Sequence, residues 1–573
     1  MRRCLIHLVF ITLFLIAAAP GAAENEAETV IMKINDPVVQ VDGMPYEMQV
    51  APSVSDSTTM VPLRFILEVY GAEVGWDAEA REISVRHNDV EIRLEPGVAE
   101  AIVNGEVLAI TGAPVIENNI TLVPLRFLAE KLNYQVDYLP DTKEIIIKQL
   151  PPPNRPPVAE FEFEKDVVPQ GETIYFNDKS YDPDGDIIVE SKWTGRERAY
   201  FASGEYQVTL EVMDSQGNWS EPFTKTLTVT DEVKMDRLTY NLHYPIPGEP
   251  LGNITNFNVL DLDQVNPDVS IDNLKVMISN SPETVLEDGI LFSDFFSGET
   301  RLYYHHINGS GENKKIIPLL INQSDAPVSL LIKRAGIAGP GEVMAVGRSA
   351  AYRYLDFNEA GAKYIELQPG QIYKLNEEIN SLVQPGATVD GIFDVDALGE
   401  LLFQVIVTGE HSTMEDYRHL TILNKDDVHI RGTFPAANRS LSIQLDGTEP
   451  VRLVVADGNY DEFLTGHDNQ SNLPGNDSQQ SKNLGNCGVT YKITIQARER
   501  MGVIFSPRGG VFSGAGKWES DGGKAFYLPN KGIMQPQTEF ALIGVIEPGQ
   551  EKVLEFIPPA GSFLPVNLIF LPF

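Results

Sequence analysis

Three aspartates alternate with other residues in one short segment of the chain. Asp182, Asp184 and Asp186 flank Gly185, and carboxylates spaced in this way can supply oxygen ligands to calcium. Ca²⁺ takes about six to eight oxygens, and no glutamate stands at the distance that completes a calcium loop. The spacing favours a turn held by aspartate hydrogen bonds, and the three aspartates stay weak calcium candidates.

Histidines could bind a transition metal or act as bases if several of them met in space. His305 and His306 are adjacent in a strand-like segment, where neighbouring side chains point to opposite faces. We therefore expect one of them to pack inward and the other to face water. His411, His419 and His429 could converge, but separate structural or solvated roles are the favoured interpretation.

A glycine-rich stretch at residues 509–517 ends in lysine, as phosphate-binding loops do. Such a loop needs Gly-Lys followed by Ser or Thr at a fixed spacing from an earlier glycine, whereas Val511 and Trp518 occupy two of these positions. The glycines favour a hairpin instead. A carboxylate pair for glycoside cleavage stays open, because 81 acidic residues offer many pairs. No catalytic or cofactor-binding residue is predicted.

Length and charge exclude some classes of partner. At 573 residues the chain is too long for one hydrophobic core and should form about three to five domains. Its formal net charge of −37 disfavours nucleic acid and anionic membrane surfaces, because binding to phosphates requires Lys and Arg. The charge fits a soluble protein outside the cell, and the oligomeric state stays open.

The first 23 residues have the pattern of a secretory signal peptide. Positive charge at Arg2 and Arg3 precedes an apolar run at residues 5–19 and small residues up to Ala23. Because the run is shorter than the ~20 residues that span a bilayer, we expect cleavage and export without an anchor. Cys487 then has no internal disulfide partner. It could pair between chains or be buried as a small apolar residue.

The pentapeptide Val-Pro-Leu-Arg-Phe occurs twice, at residues 61–65 and 123–127, which are 62 positions apart. At the same offset, the turn pair Asp42-Gly43 aligns with Asn104-Gly105. A repeat of this length indicates one structural unit used twice. The pattern around each copy predicts a strand, a turn, a strand, a helix and a hairpin, all between residues 30 and 150.

Both predicted helices carry end signals. Pro62 and Pro124 fit the first helical turn, where a missing N–H costs nothing. Gly71 and Asn133 fit the left-handed position that follows a helix. In the first helix, the apolar residues at 63, 66, 67 and 70 should share one buried face.

This duplicated pattern resembles the copper amine oxidase N-terminal-like domain, also called a stalk domain, of exported proteins of Gram-positive bacteria. The resemblance is carried by residues 61–65 and 71–76 and by their second copies. It implies an appendage and not a catalytic part. Arg64 and Arg126 could bind a ligand, but ion pairs with Glu68 and Glu130, four residues further on, are favoured.

The family name raises the question of copper oxidase activity. Copper amine oxidases convert the tyrosine of an Asn-Tyr-(Asp/Glu) motif to a quinone and hold copper with histidines that include a His-x-His pair. This chain contains Asn459-Tyr460-Asp461, but it has no His-x-His, and only His467 follows Tyr460. Since copper needs several imidazoles, copper amine oxidase activity is not expected.

A proline-rich linker at residues 151–157 precedes a second module at 158–231. The module alternates as short strands and resembles a PKD domain, an immunoglobulin-like β-sandwich. The family's Trp-Asp-Phe-Gly-Asp-Gly segment is reduced here to Trp193 followed by Thr-Gly-Arg. The resemblance implies an interaction or spacer module.

Residues 235–573 consist of short alternating runs between Gly, Pro, Asn and Asp clusters, which predicts β-sandwiches. We expect one large or two medium all-β domains and no long helix. A boundary near residues 385–395 would divide a β-rich domain at 235–390 from a β-sandwich-like domain at 391–573. Residues 466–486 are rich in Asn, Gln, Ser and Gly and are predicted to form a mobile surface loop.

These patterns predict a multidomain, mainly β protein with a duplicated α+β stalk domain, an immunoglobulin-like PKD sandwich and an all-β C-terminal region. Modules of these kinds occur together in exported proteins, and this resemblance implies an exported, non-catalytic binding or spacer protein. Its expected partner is carbohydrate or cell-wall polymer, with any attachment to the envelope non-covalent. The alternative is an extracellular polysaccharide- or protein-processing enzyme with its active site in residues 235–573.

The two functions predict different sites. A flat exposed face that carries aromatic residues would favour sugar binding. A deep cleft of carboxylates, or a histidine cluster, would favour the enzyme. Trp518, Tyr303 and Tyr304 could belong either to such a face or to the core.

Overall fold

A computed structural model of the chain describes residues 29–55, 58–150, 154–251, 258–376, 382–413, 416–459, 461–472, 479–520 and 522–573. The signal peptide predicted at 1–23 and Tyr460 lie outside these residues. The described residues belong to two compact units. The first comprises those within Met1–Glu162, Phe176–Arg196 and Val208–Lys225, and the second those within Phe163–Tyr175, Glu197–Gln207 and Thr226–Phe573.

The N-terminal domain repeats one set of elements. The first repeat contains β1 (Thr29–Lys33), β2 (Val38–Val41), β3 (Met44–Glu47), β4 (Ser53–Ser55), β5 (Thr58–Pro62), α1 (Leu63–Val69), β6 (Glu73–Asp77) and β7 (Glu82–His87). The second contains β8 (Val90–Leu94), β9 (Glu100–Val103), β10 (Glu106–Ala109), β11 (Val115–Glu117), β12 (Ile120–Pro124), α2 (Leu125–Lys131), β13 (Tyr134–Leu139) and β14 (Glu144–Gln149). The predicted duplicated α+β architecture is confirmed.

The two repeats complete each other's sheets. The five-stranded sheets have the orders β13-β14-β1-β2-β3 and β10-β9-β8-β7-β6, so each repeat's last hairpin pairs with strands of the other repeat. In the four-stranded sheet β11-β12-β5-β4, Val61 pairs antiparallel with Val123. The two pentapeptides therefore meet at the centre of the domain, around an approximate two-fold axis.

The helix ends largely follow the sequence signals. Gly71 and Asn133 have positive φ angles of 70° and 66° and follow their helices, as predicted. Pro62 and Pro124 are each one residue earlier than expected. Each is still the last residue of a strand and caps the helix with a φ of −62°, because β5 and β12 run directly into α1 and α2.

The second module contains β15 (Phe161–Phe163), β16 (Val167–Gln170), β17 (Phe176–Asp178), β18 (Ile188–Thr194), β19 (Gly204–Asp214) and β20 (Phe223–Val233). They form a two-stranded sheet, β15-β17, and a four-stranded sheet, β16-β20-β19-β18. The ring of Phe161 lies 4.9 Å from that of Trp193 and 5.5 Å from that of Phe223. Trp193 is thus part of the aromatic core of this module.

Residues 235–573 form three sheets and two α-helices among the described residues. The elements up to residue 409 are α3 (Arg237–His243), β21 (Glu249–Pro250), β22 (Asp263–Gln264), β23 (Asp268–Ile271), β24 (Lys275–Ser279), β25 (Thr284–Val285), β26 (Gly289–Asn308), β27 (Lys314–Ile321), β28 (Val328–Gly341), α4 (Val343–Asp356), β29 (Lys363–Leu367), β30 (Ile372–Lys374) and β31 (Thr388–Gly409).

The remaining strands are β32 (Arg431–Phe434), β33 (Asn438–Leu445), β34 (Val451–Val455), β35 (Thr465–Asp468), β36 (Gln479–Lys482), β37 (Thr490–Ala497), β38 (Met501–Pro507), β39 (Gly514–Trp518), β40 (Ala525–Leu528), β41 (Ala541–Ile546), β42 (Glu551–Phe556) and β43 (Val566–Pro572). The six-stranded sheets are β21-β41-β38-β43-β34-β22 and β23-β33-β37-β42-β39-β40. An eleven-stranded sheet has the path β29-β28-β31-β26-β24-β32-β35-β36. The predicted mainly β, multidomain fold class is confirmed.

The expectation of no long helix in this region is wrong, because α4 has 14 residues. Glu342 caps it by accepting hydrogen bonds from the backbone N–H groups of Met344 and Ala345. Its buried face combines Met344, Tyr354 and Leu355 with the small residues Gly347, Ala350 and Ala351. The small residues interrupt the larger apolar ones, so the helical period is easily overlooked in the sequence.

The segment at residues 466–486, predicted as a mobile surface loop, contains paired strands in the part that the structure describes. β35 and β36 pair as a hairpin, and residues 473–478 between them lie outside the described residues. Asn483 and Asn486 are fully buried, and their amides bond to Cys487 and to the Asp461 carbonyl. The polar composition reflects internal hydrogen bonding and not solvation.

The position predicted for a boundary between two C-terminal domains, 390–391, lies inside β31. This strand of 22 residues runs unbroken through that position and pairs with β26 on both sides of it.

Candidate functional site

A tyrosine projects from the outermost strand of the eleven-stranded sheet. Tyr364 lies on β29, which pairs only with β28 among the described strands, and it is 83% exposed. Burial of an aromatic ring is strongly favourable, and Tyr combines a large apolar surface with a polar hydroxyl. A ring left in water on an ordered strand is therefore suited to meet a ligand.

Tyr364 is the end of a row of side chains that crosses four strands. It lies opposite Leu331 on β28, which lies opposite Asp396 on β31, which in turn lies opposite Glu299 on β26. Residues directly opposite each other in antiparallel strands share a face of the sheet. At the usual strand spacing the row is about 14 Å long.

Charged groups at the far end of the row form a small network. Lys333 donates to Glu299 and also lies 3.4 Å from an Asp396 carboxylate oxygen. The hydrogen bond with Glu299 is the main cause that raises the pKa of Lys333. We name Glu299, Leu331, Lys333, Tyr364 and Asp396 the Tyr364 face. It offers an aromatic platform beside donors and acceptors for hydroxyl groups.

The same sheet face continues beneath α4, where it carries a buried ion pair. Arg301 donates to both carboxylate oxygens of Asp394, at 2.7 and 3.0 Å, and Tyr354 of α4 donates to the same carboxylate at 2.7 Å. Burial raises the pKa of Asp394, but the Arg301 guanidinium, together with the Tyr354 hydrogen bond and Arg334, outweighs burial and holds that pKa below its usual range. This network fixes β26, β31 and α4 next to the Tyr364 face.

A second group of interest is the buried pair of His305 and Asp390. His305 Nδ1 lies 3.1 Å from an Asp390 oxygen, directly across the β26–β31 pair. His305 is only 1% exposed, and its Nε2 atom has no hydrogen-bond partner among the residues that the structure describes. Burial raises the pKa of Asp390. The pair has the form of a histidine oriented by a carboxylate, but it is closed to solvent.

His306 is buried too, so the expectation that one of these histidines faces water is wrong. Both faces of β26 are covered at this point. His306 Nε2 lies 2.8 Å from Ser279 Oγ, and its Nδ1 lies 2.9 Å from the Pro282 carbonyl. Burial lowers the pKa of His306 to about 3, so the ring is neutral at ordinary pH.

The other histidines have separate surroundings. His429 lies 2.7 Å from Glu283 and 2.9 Å from Asp426, whereas His411 and His419 are exposed. Among the described residues, no group of three or more His, Cys, Asp or Glu side chains could hold a metal ion. The Cys487 thiol is free, and burial raises its pKa to about 12.

The three calcium candidates form a turn held by aspartate hydrogen bonds. Asp182 accepts from the backbone N–H groups of Asp184 and Asp186, at 2.8 and 3.2 Å. Arg155 donates to both oxygens of Asp184. The Asp186 carboxylate accepts from Ser215 at 3.4 Å. In this geometry the Asp184 carboxylate is paired with the Arg155 guanidinium and not left free for a calcium ion.

The remaining sequence candidates have structural partners. Asp461 of the Asn-Tyr-Asp motif accepts from the Tyr491 hydroxyl at 2.6 Å, and Lys517 donates to the Leu355 carbonyl at 2.9 Å. Gly514 and Gly516 lie on β39, which pairs with β40 as a hairpin, whereas Gly509 and Gly510 precede that strand. Trp518, Tyr303 and Tyr304 are core residues.

The predicted ion pairs of the N-terminal helices are present. Arg64 lies 4.0 Å from Glu68, and Arg126 lies 3.9 Å from Glu130. All four side chains are exposed, so each pair contributes little to stability.

Sequence reasoning missed Tyr364. The local signal was available, since Tyr364 and Glu366 alternate with the more buried Ile365 and Leu367 along β29. What the alternation could not show is the row across to Glu299, which depends on the pairing of four strands.

Fold and site together describe a multidomain β protein with an exposed aromatic face. Within it, residues 25–147 match the family model of the copper amine oxidase N-terminal domain. No curated protein matches the chain. None of the helices among the described residues is long and apolar enough to cross a membrane.

Three solved structures show partial likeness. The PKD1 domain of Vibrio anguillarum Epp is 30% identical, with 14% of this chain and 98% of that chain covered and a TM-score of 0.12. A structure of carbohydrate-binding modules from the beta-sandwich super family is 18% identical, with 44% of this chain and 98% of that chain covered and a TM-score of 0.13. Chitinase ChiA74 from Bacillus thuringiensis is 10% identical, with 47% of this chain and 42% of that chain covered and a TM-score of 0.11. Since these TM-scores lie below 0.5, none of the likenesses bears on the function.

Proposed function

We propose that this protein is an exported, non-catalytic binding and spacer protein whose partner is carbohydrate, and that the Tyr364 face binds the glycan. The observation that carries the proposal is the 83% exposure of Tyr364 on an ordered strand, at the end of a row of polar side chains. Export rests on the N-terminal sequence pattern, and the spacer role on the module arrangement.

The chemistry of the Tyr364 face suits a sugar. A rigid Tyr ring offers a flat, amphipathic surface at low entropic cost, and the apolar face of a pyranose can stack on it. Glu299 and Asp396 can accept hydrogen bonds from hydroxyl groups, and Lys333 can donate to them. A site with one platform and a few placed polar groups fixes both the position and the orientation of a ligand.

The end of the proline-rich linker supports the spacer role. Asn154 donates to Asp214 at 2.7 Å, and the Arg155 backbone N–H donates to Asp184 at 2.6 Å. These bonds dock residues that follow the prolines onto the second module. Proline-rich segments are extended and semi-rigid, so a linker docked in this way spaces domains better than a flexible one.

Replacing Tyr364 with alanine tests the proposal. We expect at least about ten-fold weaker glycan binding, which corresponds to roughly 1.4 kcal/mol of lost stacking. Because the ring is almost fully exposed, the melting temperature should not change. Binding would be measured by calorimetry and by pull-down on a panel of soluble and insoluble polysaccharides, including purified cell wall.

Tyr175→Ala is the matched control, because this tyrosine is also exposed, at 63%, but does not belong to the Tyr364 face. It should bind like the wild type. A wild-type protein that binds no glycan in the panel, or a Tyr364→Ala variant with unchanged affinity, would remove the basis for the proposal.

The enzyme alternative is favoured by the His305–Asp390 pair and the unpartnered Nε2 atom of His305. An oriented histidine of this kind can act as a general base when a substrate reaches it. The alternative predicts that the wild type releases reducing ends or peptides from a polymer and that His305→Gln abolishes this release. Solvent exposure of 1% at His305 makes glycan binding the better-supported function.

A further inference from the structure

The duplicated N-terminal domain exposes an aromatic ring at the same position in both repeats. Trp76 on β6 and Tyr138 on β13 are separated by the repeat offset of 62 residues, and each is 48% exposed. Most exposed positions of the two repeats differ, for example Val38 and Glu100 or Met44 and Glu106. An aromatic residue therefore persists in both copies where the surrounding surface has changed.

Other charged residues that are identical in both repeats have partners within the domain. The two helix arginines pair with the glutamates four residues on, and Glu144 pairs with Lys33 at 3.2 Å. Neither the Trp76 nor the Tyr138 side chain makes a hydrogen bond, ion pair or ring contact with any residue that the structure describes. Internal hydrogen bonds, ion pairs or ring stacking of the described residues therefore do not explain why both repeats keep an aromatic ring here.

Both rings occupy the same place in the architecture. β6 and β13 are each the outermost strand of a five-stranded sheet. Trp76 lies opposite Ile83, and Tyr138 lies opposite Ile145, and both isoleucines belong to the domain core. Each ring therefore stands at the rim of the core, where half of its surface is covered and the other half is free to stack on a ligand.

The approximate two-fold axis relates the two rings. It passes between β5 and β12, where Val61 pairs antiparallel with Val123. A chemical group that one ring recognises can be recognised by the other in the same way. Two equivalent sites on one rigid domain suit a ligand that presents the same unit repeatedly, which is the defining property of a polysaccharide.

Charge narrows the class of polymer. The aspartates that adjoin the rings in sequence, Asp77 and Asp137, lie on the opposite face of the same edge strands, and the whole chain carries a net charge of −37. A polyanion such as a phosphate-rich wall polymer would be repelled by this negative charge, whereas an uncharged polysaccharide would not be repelled.

We propose that the duplicated domain is a second glycan-binding module, in which Trp76 and Tyr138 are equivalent stacking sites for an uncharged polysaccharide of repeating units. The ligand class rests on the proposed function of the Tyr364 face, whereas the two sites rest on the repeat itself. Each site alone is weak, but a polymer that engages several sites on one chain binds more tightly through effective concentration.

The test uses the full-length protein in the Tyr364→Ala background, so that the N-terminal sites are measured alone. We expect this variant to retain residual binding to a long uncharged polysaccharide. Adding Trp76→Ala or Tyr138→Ala should weaken the residual binding about five- to ten-fold, and the triple variant should lose it. A short oligosaccharide that fills one site should show one fewer binding site per chain in calorimetry for each ring removed.

Two controls separate binding from folding. Trp76→Tyr and Tyr138→Trp exchange the residues of the two repeats and should keep the affinity within about two-fold, because an aromatic ring remains. Met44→Ala removes an exposed apolar side chain elsewhere in the domain and should bind like the parent. Melting curves identify any alanine variant that loses its fold. For such a position, the affinity of the Trp76→Tyr or Tyr138→Trp variant tests whether an aromatic ring is what binding requires.

The outcomes separate this inference from the proposed function. If Tyr364→Ala alone abolishes binding, the Tyr364 face stands and the second module is overturned. If removing both N-terminal rings abolishes binding while Tyr364→Ala has no effect, the second glycan-binding module is supported and the proposal for the Tyr364 face is overturned. Binding of a polyanionic polymer but no uncharged one would overturn the ligand class.

Discussion

Replacing Asp394 with alanine is expected to lower the free energy of unfolding of the second unit by about 3 kcal/mol. The change leaves the Arg301 guanidinium buried without its counter-ion and removes the acceptor of the Tyr354 hydroxyl. Breaking a buried pair by removing one partner costs roughly 3–5 kcal/mol. The lower end applies here, because the Asp394 side chain is 20% exposed. Urea unfolding followed by fluorescence would measure the loss.

Asp396→Ala is the matched control for this prediction. Asp396 lies two residues further along β31, but its partner is Lys333 at the surface, so its loss should cost less than about 1 kcal/mol. Equal effects of the two substitutions would contradict the importance assigned to the buried pair.

The contribution of Asp394 should also depend on pH. Its pKa in the folded protein lies below the ordinary value, which is about 3.9 for an unfolded chain. The stabilisation is therefore fully present above about pH 4 and is lost as the pH falls through the folded pKa. The difference between wild type and Asp394→Ala should shrink in unfolding experiments carried out below pH 4, and a constant difference would contradict the sign of the shift.

Gly336→Ala is expected to destabilise the second unit by about 2–3 kcal/mol. An added Cβ would lie 2.3 Å from the Ala350 carbonyl oxygen and 2.6 Å from the backbone nitrogen of Tyr354. Both atoms belong to the backbone of α4, so the helix must move away from β28, and overpacking of this kind costs roughly 1–3 kcal/mol. Displacement of Tyr354 also strains the Arg301–Asp394 network, which favours the upper end of the range. Thermal unfolding followed by circular dichroism would detect the change.

Gly311→Ala provides the comparison, because an added Cβ at that position has no atom of the described residues within 4 Å apart from its chain neighbours. It should leave the melting temperature within about a degree of the wild type or raise it slightly, since alanine restricts the unfolded chain. A destabilisation equal to that of Gly336→Ala would show that the contact with α4 is not the cause.

The N-terminal domain could be predicted from sequence because its signals are local. The Asp-Gly and Asn-Gly turns, and Gly71 and Asn133 after the helices, each act within a few residues of the feature they specify. The duplication then doubled the evidence. Even the predicted start of the first helix was wrong by only one residue. Because β5 runs directly into α1, no loop residues separate the strand pattern from the helix pattern at Pro62.

The second unit was less predictable because its decisive contacts are non-local. The 20-residue β26 and the 22-residue β31 are recognisable in the sequence only in pieces, and their register emerges from pairing with each other. Buried polar groups such as His306 and Asn483 look like surface residues until their partners are known. Tyr364 is likewise visible as an exposed residue, while the row that makes it a site requires three strand pairings.

The sheet order of the N-terminal domain has a consequence for how its chain may be cut and joined. β14 lies beside β1 with Thr29 opposite Lys148, in the same relation that β7 has to β8, where His87 lies opposite Val90. The short turn at Asn88 and Asp89 could therefore be opened and an equivalent turn built between residues 149 and 29. Such a circular permutant would have the same topology as the native domain with its repeats exchanged in order, so the fold does not distinguish which repeat comes first.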